Sequence, residues 1–403
     1  MAKVVTSRSM TKRPLITADC HIAPPPTLAD ELPERIRSQV PHLEERDDGV
    51  YLIRPDILPE GAREMMGAAS ADGMTALLAQ GVPVDPNDQA GLARAVVADV
   101  CADARVGFTA QSYIDELERD GVVGAVLIGA AAFSVHQDPE VDAVWTPLVN
   151  DWIHDEFKDH LHRFAPGISL PLNDVEASVK ELERAAGLGL RPALLPDVLP
   201  ARPYTDPAWE PLWEAAESLG VPLMTHVGGA RALYPWAMKT HFSPGQGATT
   251  AFALTSLGMG ETVCWFACSG ILERHPNLKI VMTECSAGWL AWLMHFLDHH
   301  YSGRFGNEFL TDQGIPPMKA TEAPPSYYIK RQIACTFMDD PVAIHNREMT
   351  GLDCLMWGND YPHQEGIFPD SHDWIDKQFS GVPENEVRHI VHDNAASVFG
   401  LSV

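Results

Sequence analysis

Short apolar segments alternate along the chain with longer amphipathic segments. The short segments are rich in β-branched residues and are bounded by Gly, Pro, Asn or Asp, which is typical of buried strands. The segments between them repeat apolar residues at helical spacing. Eight strands are predicted, at residues 15–21, 122–129, 164–172, 192–196, 222–227, 279–284, 333–337 and 354–360. Strands that alternate with helices favour parallel β/α units, so the pattern predicts an α/β fold of the (β/α)8 TIM barrel type.

Two amphipathic segments show where helices begin and end. Asn173 precedes an apolar stripe that recurs at helical spacing through Ala186, and it is therefore predicted to cap that helix. Asp206 followed by Pro207 predicts a second cap, and Gly220 predicts the end of that helix. The alternative fold is an open doubly wound sheet, which binds nucleotides through a Gly-rich first turn. The first turn here reads DCHIAPPP, without GxGxxG, so the barrel is favoured.

The spacing of the predicted strands indicates two insertions within a single metal-dependent barrel domain that spans residues 14–401. About 100 residues separate the first two strands, far more than a β/α connection needs. We therefore expect a long insertion after the first strand, over residues 30–112, that forms a cap over the barrel mouth or a contact between subunits. A shorter insertion is expected over residues 300–330, before the seventh strand.

Composition and charge argue against several classes of function. The 403 residues include 29 Lys and Arg against 55 Asp and Glu, a net charge of −26 with His neutral. That balance argues against nucleic acids and anionic membranes, which attract clustered basic side chains. The most apolar stretch, residues 251–268, is interrupted by Gly and Glu and is too short to span a bilayer. The seven Cys form no CxxC pair, and no apolar segment follows the basic N-terminus, so a reduced, cytoplasmic protein is expected.

Ionisable side chains stand at the carboxyl ends of four predicted strands. Strand one ends in Asp19 and His21, strand five in His226, strand six in Glu284 and strand eight in Asp360. Residues i and i+2 of a strand point to the same side, so Asp19 and His21 face one interior point. The carboxyl ends of barrel strands are where enzymes of this fold hold their functional residues.

This group of side chains points to a bound divalent cation. Buried carboxylates without partners are costly, and a divalent ion would neutralise them while it holds the imidazoles. Two His with carboxylates suit Zn²⁺ best, with Mn²⁺ or Fe²⁺ as alternatives. A catalytic ion keeps one position open for water or substrate, lowers the pKa of bound water and polarises a carbonyl or carboxylate.

Three segments carry a family resemblance. They are CLMWGNDYPHQEG at 354–366, ILERHPNLKIVMTECSAGWL at 271–290 and DNAASVFGL at 393–401. They resemble the last strand, the strand-six segment and the closing helix of the amidohydrolase-related family (amidohydrolase 2), in the branch that includes amino-carboxymuconate-semialdehyde decarboxylase. The resemblance implies a metal-dependent (β/α)8 barrel with one divalent ion, usually zinc, a small-molecule substrate and a homodimer.

The family resemblance also implies roles for individual residues. Asp19, His21, His226 and Asp360 match the metal positions, and Asp360 matches the residue that moves protons. Asp19 stands where the better known decarboxylases carry His or Glu, which keeps an oxygen ligand. Glu284 stands where they carry a His that helps to activate water or hold the substrate, so Glu284 is a second candidate for a catalytic residue.

Three functions are compatible with this pattern. The first is a metal-dependent hydrolase of a small organic substrate, aromatic or carboxylate-bearing, with Asp360 as general base and then acid toward metal-activated water. The second is a nonoxidative decarboxylase in which Asp360 protonates the substrate carbon. The third is a noncatalytic binding barrel, since a fold alone does not guarantee a function. His363, three residues after Asp360, and Trp289 are the candidates for substrate contact.

Overall fold

Eight parallel strands form a closed barrel in the computed structural model of the protein. The structure describes residues 13–55, 81–97, 100–101, 103–129, 136, 138–197, 202–227, 244–302, 308–315 and 321–403. The strands within these ranges are β1 (Leu15–His21), β2 (His42–Arg46), β3 (Gly49–Ile53), β4 (Val82–Val84), β5 (Val122–Ile128), β6 (Phe164–Pro166), β7 (Ala193–Pro196), β8 (Leu223–His226), β9 (Ile280–Thr283), β10 (Ile333–Phe337) and β11 (Leu355–Trp357).

The barrel consists of β1 and β5 to β11. These strands form two parallel sheets, in the orders β1–β5–β6 and β11–β10–β9–β8–β7. Single parallel bridges join the sheets, from Ile168 to Ala193 on one side and from Cys20 to Tyr361 on the other. The predicted (β/α)8 barrel and its eight strands are therefore confirmed. The third strand is shorter than the predicted 164–172, because the Asn150 side chain takes both backbone hydrogen bonds of Ser169.

Helices connect the barrel strands. They are α1 (Glu34–Arg37), α2 (Gln89–Val96), α3 (Ala110–Arg119), α4 (Pro139–Phe157), α5 (Val175–Gly187), α6 (Glu210–Leu219), α7 (Pro244–Cys268), α8 (Ile271–Arg274), α9 (Leu290–Ser302), α10 (Leu310–Asp312), α11 (Pro325–Gln332), α12 (Pro341–Thr350), α13 (Ser371–Gln378), α14 (Glu384–Arg388) and α15 (Asn394–Phe399). Among the described helices, none has both the length and the apolar composition that crossing a membrane requires.

The predicted helix ends are mostly confirmed. Asp206 caps the turn that leads into α6, and Gly220 ends that helix with φ 63°. The predicted cap Asn173 is wrong by one residue. Asp174 accepts hydrogen bonds from the first N–H groups of α5, because the side chain of Asn173 instead donates to the carbonyl of His136 and to Asp142.

The long insertion contains a small antiparallel sheet of its own, in the order β2–β3–β4, together with α2. Its C-terminal part reaches the loop that follows β11. Val100 pairs with His363, and the N–H of Cys101 donates to the carbonyl of Pro362 at 2.7 Å. Residues 56–80, 98–99 and 102 of this insertion, and 303–307 and 316–320 of the shorter one, lie outside the described residues. The domain boundaries and the role of the long insertion stay predictions.

The barrel interior is apolar except at its carboxyl end. Alternate residues of the strands meet in this interior and pack on the C-terminal segment of the chain. That segment closes the end of the barrel opposite the carboxyl ends of the strands. The buried members of this interior cluster are Ile16, Ala18, Val126, Ile128, Ala165, Leu194, Met224, Val281, Ala334, Met356, Ala395, Phe399 and Leu401. The packed interior leaves the carboxyl end as the place where polar side chains gather.

Candidate metal centre

A β-bulge in β1 sets the direction of the first two site residues. Thr17 and Cys20 pair with Ala125 and Leu127, so three steps along β1 match two along β5. A bulge adds one residue to a strand and re-aims the side chains that follow it. Ile16 and Ala18 face the barrel interior, and beyond the bulge Cys20 packs in the outer core. Asp19 and His21 therefore point to the interior, as the sequence predicted, although their alternation with Ala18 alone would turn them outward.

His226, the last residue of β8, presents one ring nitrogen to the site. Its Nδ1 lies 2.7 Å from the carbonyl of Val227, so Nδ1 donates to that carbonyl and Nε2 is the ring nitrogen that faces the site. Nε2 lies 3.5 Å from Asp19 Oδ1 and 3.2 Å from Glu284 Oε2. An imidazole whose Nδ1 is held by a backbone carbonyl can present Nε2 to a metal ion.

Asp360 follows β11 in a left-handed backbone conformation, with φ 56°. Its Oδ1 lies 3.0 Å from His21 Nε2 and 3.0 Å from His363 Nδ1. Its Oδ2 is buried and has no hydrogen-bond partner among the described residues. Burial opposes ionisation of Asp360, but the bonds from His21 and His363 outweigh it and lower the pKa of this carboxyl. Asp360 is therefore a carboxylate with one oxygen available to a ligand.

Glu284 is the second candidate carboxylate in a left-handed conformation, with φ 55°. Its N–H donates to Thr336 Oγ1 at 2.8 Å, and Asp340 binds the N–H groups of Ala287 and Gly288 further along the same loop. Burial raises the pKa of Glu284 well above its usual value, and the negative charges of Asp360 and Asp19 raise it further. Glu284 therefore gives up its proton less readily than an ordinary Glu side chain.

The arrangement fits a divalent cation. Three overlapping groups each place three ligand atoms within 4.8 Å of one another: Asp19, His21 and His226; His21, Asp360 and His363; and Asp19, Glu284 and Asp360. Five of these side chains are the five predicted from the strand ends, and the structure brings all of them together. The buried Oδ2 of Asp360 is the observation that favours a positive ligand, because a buried carboxylate oxygen without a partner is costly.

The charged side chains of the site shift one another's pKa values. Burial raises the pKa of Asp19, but hydrogen bonds with His21 and His226 overcome this and hold the pKa below its usual range. Burial lowers the pKa of His21, yet its bonds to Asp19 and Asp360 raise it to about 10. A proton held by His21 at neutral pH thus offsets part of the negative charge of these carboxylates.

The two residues predicted to contact substrate, His363 and Trp289, differ in their position relative to the ligand cluster. The ring of His363 packs against that of His21 with centroids 4.0 Å apart and an interplanar angle of 33°, so His363 belongs to the cluster. Trp289 donates its indole N–H to the carbonyl of Cys285 at 2.8 Å and packs toward Gly260 of α7. Trp289 is not one of the clustered ligands among the described residues, and its contact with substrate stays a prediction.

Sequence reasoning missed the residues that hold this geometry. Thr17 binds the backbone of Asp19 and Asn359, and the hydroxyl of Tyr113 donates to the carbonyl of His21. The one available signal was Thr17 itself, a polar residue inside an apolar strand. Tyr113 gave no signal, because it lies in a helix far from β1 in sequence.

The chain matches a known family over almost its whole length. The sequence model of the family described as Amidohydrolase matches residues 18–401. The family predicted from the sequence is therefore confirmed, and so is its branch, because the relatives that follow are members of it.

Curated relatives and solved structures agree with that match. The 2-amino-3-carboxymuconate-6-semialdehyde decarboxylase of Dictyostelium discoideum is 26% identical over 299 residues, which cover 72% of this chain and 76% of the relative. The gamma-resorcylate decarboxylase of Polaromonas sp. (strain JS666 / ATCC BAA-500) is 26% identical over 278 residues, 63% of this chain and 75% of the relative. The structure of 5-carboxyvanillate decarboxylase from Novosphingobium aromaticivorans DSM 12444, complexed with manganese and 4-hydroxy-3-methoxy-5-nitrobenzoic acid, has a TM-score of 0.67 at 16% identity and covers 100% of both chains.

Proposed function

The chain belongs to the amidohydrolase family, and from that membership we propose that it is a metal-dependent decarboxylase that releases CO₂ from a small aromatic or related carboxylic acid. At the coarser level it is a metal-dependent hydrolase or carboxy-lyase of the amidohydrolase superfamily. Both curated relatives described above are decarboxylases. They support decarboxylation better than the hydrolysis that the sequence placed first.

The observation that carries the proposal is the meeting of Asp19, His21, His226 and Asp360 at the carboxyl end of the barrel. These four side chains would hold one divalent ion. Two imidazole nitrogens with carboxylate oxygens suit Zn²⁺, which the sequence favours, and also Mn²⁺, which the solved relative binds. The chemistry that such an ion supplies when bound is Lewis-acid polarisation of a substrate oxygen.

Asp360 is placed to hold and move the proton of the reaction. Decarboxylation adds a proton to the carbon that carries the carboxyl group and then breaks the bond between the two carbons. The electron pair of that bond stays with the substrate, and CO₂ leaves. Hydrogen bonds at Oδ1 fix the Asp360 side chain. Because Asp360 is a carboxylate, it would first take up a proton from water or from an acidic group of the substrate and then pass that proton to the carbon.

The site also limits the access of water. Asp19 and His226 are 1% and 2% exposed, and Asp360 is fully buried. A reaction that must protonate carbon benefits from a pocket that excludes competing water. His363 is more exposed than these three, at 20% of its side chain, and it lies in the loop that the long insertion contacts through Val100.

Metal content and CO₂ release test the proposal. Elemental analysis of the purified protein should find about one Zn or Mn per chain, and His226→Ala should lose it, because a site with one ligand fewer holds the ion weakly. His345→Ala, at an exposed position of α12, is the matched control and should keep the metal. The loaded protein should release CO₂ from a panel of aromatic carboxylic acids. A wild-type protein that binds neither Zn²⁺ nor Mn²⁺ after supplementation would contradict the proposal.

Glu284 supports a second candidate function, hydrolysis. A carboxyl group stands here where the family resemblance implies a His in the decarboxylases, and it lies 3.2 Å from His226. A carboxylate beside a metal ion can take a proton from attacking water, which is the base that hydrolysis needs. Product analysis separates the two reactions. A hydrolase converts esters or amides to an acid and an alcohol or amine, releases no CO₂, and should lose about 10²- to 10⁴-fold of its rate in Glu284→Gln.

A further inference from the structure

We infer that the hydroxyl group of Thr17 is the positioning group of the metal centre, which holds the backbones of Asp19 and Asp360 at the separation that the ion requires. The inference rests on the proposed function in one respect, that the cluster binds a divalent cation. It assigns Thr17 no contact with the ion or the substrate, since Thr17 acts through the residues that carry the ligands.

Three hydrogen bonds converge on the Thr17 hydroxyl, which is fully buried in β1. Oγ1 donates to the carbonyl of Asp19 at 2.8 Å and accepts from the N–H of the same residue at 3.3 Å. It also accepts from the N–H of Asn359 at 2.9 Å. One side-chain oxygen therefore ties the strand that bears the first ligand to the strand that bears the last one.

The bonds to Asp19 stabilise the bulge. The extra residue of a β-bulge interrupts the ladder, so backbone groups near it need other partners. Thr17 supplies a partner for both the N–H and the carbonyl of Asp19. The bulge turns Asp19 and His21 into the barrel, and the Thr17 hydroxyl is thus part of what keeps them there.

The bond to Asn359 fixes the other side of the site. Asn359 directly precedes Asp360, whose N–H donates to the carbonyl of Asp19 at 3.1 Å. That carbonyl thus accepts hydrogen bonds from both Thr17 and Asp360. The backbones approach closely here, because a Cβ on Gly358 would lie 2.5 Å from Asp19 Cβ. Because few hydrogen bonds hold these two backbone segments together, each bond matters for their separation.

Packing alone does not explain a Thr at this position. Val has nearly the same shape, and an apolar neighbour such as Leu15 or Ile16 shows that this part of β1 is otherwise hydrophobic. Val would leave the N–H groups of Asp19 and Asn359 buried without an acceptor, which is the main cost of losing such a hydroxyl. If the role were only structural, its loss would lower the stability of the protein but leave the affinity for metal unchanged.

The test compares hydroxyl-bearing and hydroxyl-free variants by calorimetric titration of the metal-free protein with Mn²⁺. Thr17→Ser keeps the hydroxyl and should bind Mn²⁺ with a Kd close to that of wild type. Thr17→Ala and Thr17→Val lack it and should bind about 10- to 100-fold more weakly, as is usual for loss of a group that orients metal ligands. Thr350→Val is the control, because the buried hydroxyl of Thr350 has no hydrogen-bond partner among the described residues.

Two further readouts keep the inference falsifiable. If Thr17→Val does not fold, the comparison of Thr17→Ser with Thr17→Ala still isolates the hydroxyl. Crystal structures of the metal-free Ser and Ala variants should show the Asp19 and Asp360 carboxylates displaced by about 1 Å or more in Ala only. Wild-type Kd values in Thr17→Ala, with the carboxylates in place, would overturn the inference. If wild type binds no ion, the proposed function fails, and the crystal structures alone decide the role of Thr17.

Discussion

Two carboxylates of the site occupy a backbone conformation that side chains rarely adopt. Glu284 and Asp360 have φ of 55° and 56°. Each such residue costs about 1 to 3 kcal/mol and persists only where its surroundings hold it. The hydroxyl of Thr336 accepts a hydrogen bond from the N–H of Glu284, and the carbonyl of Asp19 accepts one from the N–H of Asp360. The strain therefore lies at the two residues that are candidates for moving protons.

The protonation of His21 should control metal binding. Hydrogen bonds to Asp19 and Asp360 overcome the effect of burial and raise the pKa of His21 to about 10, so the ring holds a proton at neutral pH. A metal ligand must be the neutral imidazole, so binding below that pKa releases the proton. The apparent affinity for Mn²⁺ should therefore rise with pH, by up to about tenfold per pH unit.

Titrations of metal-free protein between about pH 6 and pH 9 measure this dependence. Proton release into a weakly buffered solution with a pH indicator gives an independent reading. An affinity that is constant across this range would show that His21 is already neutral in the metal-free protein.

At the scale of elements, the strands could be predicted from the sequence and their relative register could not. Each barrel strand is a local apolar run between Gly, Pro or polar residues, so the pattern is visible in one sequence. The bulge in β1 depends on β5, about 100 residues away. The bond between Thr17 and Asn359 joins residues 342 positions apart. Five ligand candidates were visible because they stand at the carboxyl ends of strands, whereas the residues that orient them were not.

The loop after β11 is anchored by the buried side chain of Asp120, which directly follows α3. The Asn359 amide donates to Asp120 Oδ2 at 3.1 Å, and the N–H of Ser371 donates to Asp120 Oδ1. Asn359→Asp would place two buried carboxylates together and should lower the free energy of unfolding by about 3 kcal/mol. The double variant D120N/N359D restores a donor facing an acceptor and should recover much of that loss. Urea unfolding of both single variants and the double variant measures the coupling, and purely additive losses would contradict a direct interaction.

At the scale of the whole molecule, the two ends of the barrel have different tasks. The C-terminal segment closes one end with Phe399 and Leu401, which pack on Ile16 and Met356 of the interior. The other end carries the ionisable cluster and the loop that the long insertion contacts. Stability and chemistry are thus assigned to opposite ends of the same strands. The homodimer expected from the family resemblance stays a prediction.

Because the two ends of the barrel have different tasks, we expect a mutation at the closed end to change stability without changing metal binding. Phe399 is 1% exposed, so Phe399→Ala should leave a cavity and lower the free energy of unfolding by about 3 to 5 kcal/mol. The metal content per folded chain should not change, because the cluster lies at the opposite end. Val403→Ala is the control at an exposed position and should have little effect. Denaturant unfolding with elemental analysis checks both, and loss of metal from folded Phe399→Ala would show that the ends are coupled.

The extra residue in β1 also has a consequence for how such a centre arises and disappears. Deletion of the Cys20 codon, with the bulge kept, would make His21 the residue directly after Asp19. The strand would keep its apolar character, but His21 would turn from the barrel interior to the outer face. A descendant gene could therefore lose the centre through one small deletion elsewhere in the strand, with every ligand codon intact. A search for the ligand residues alone would still identify the descendant protein as an enzyme. The register of its first strand would show that the centre has been lost.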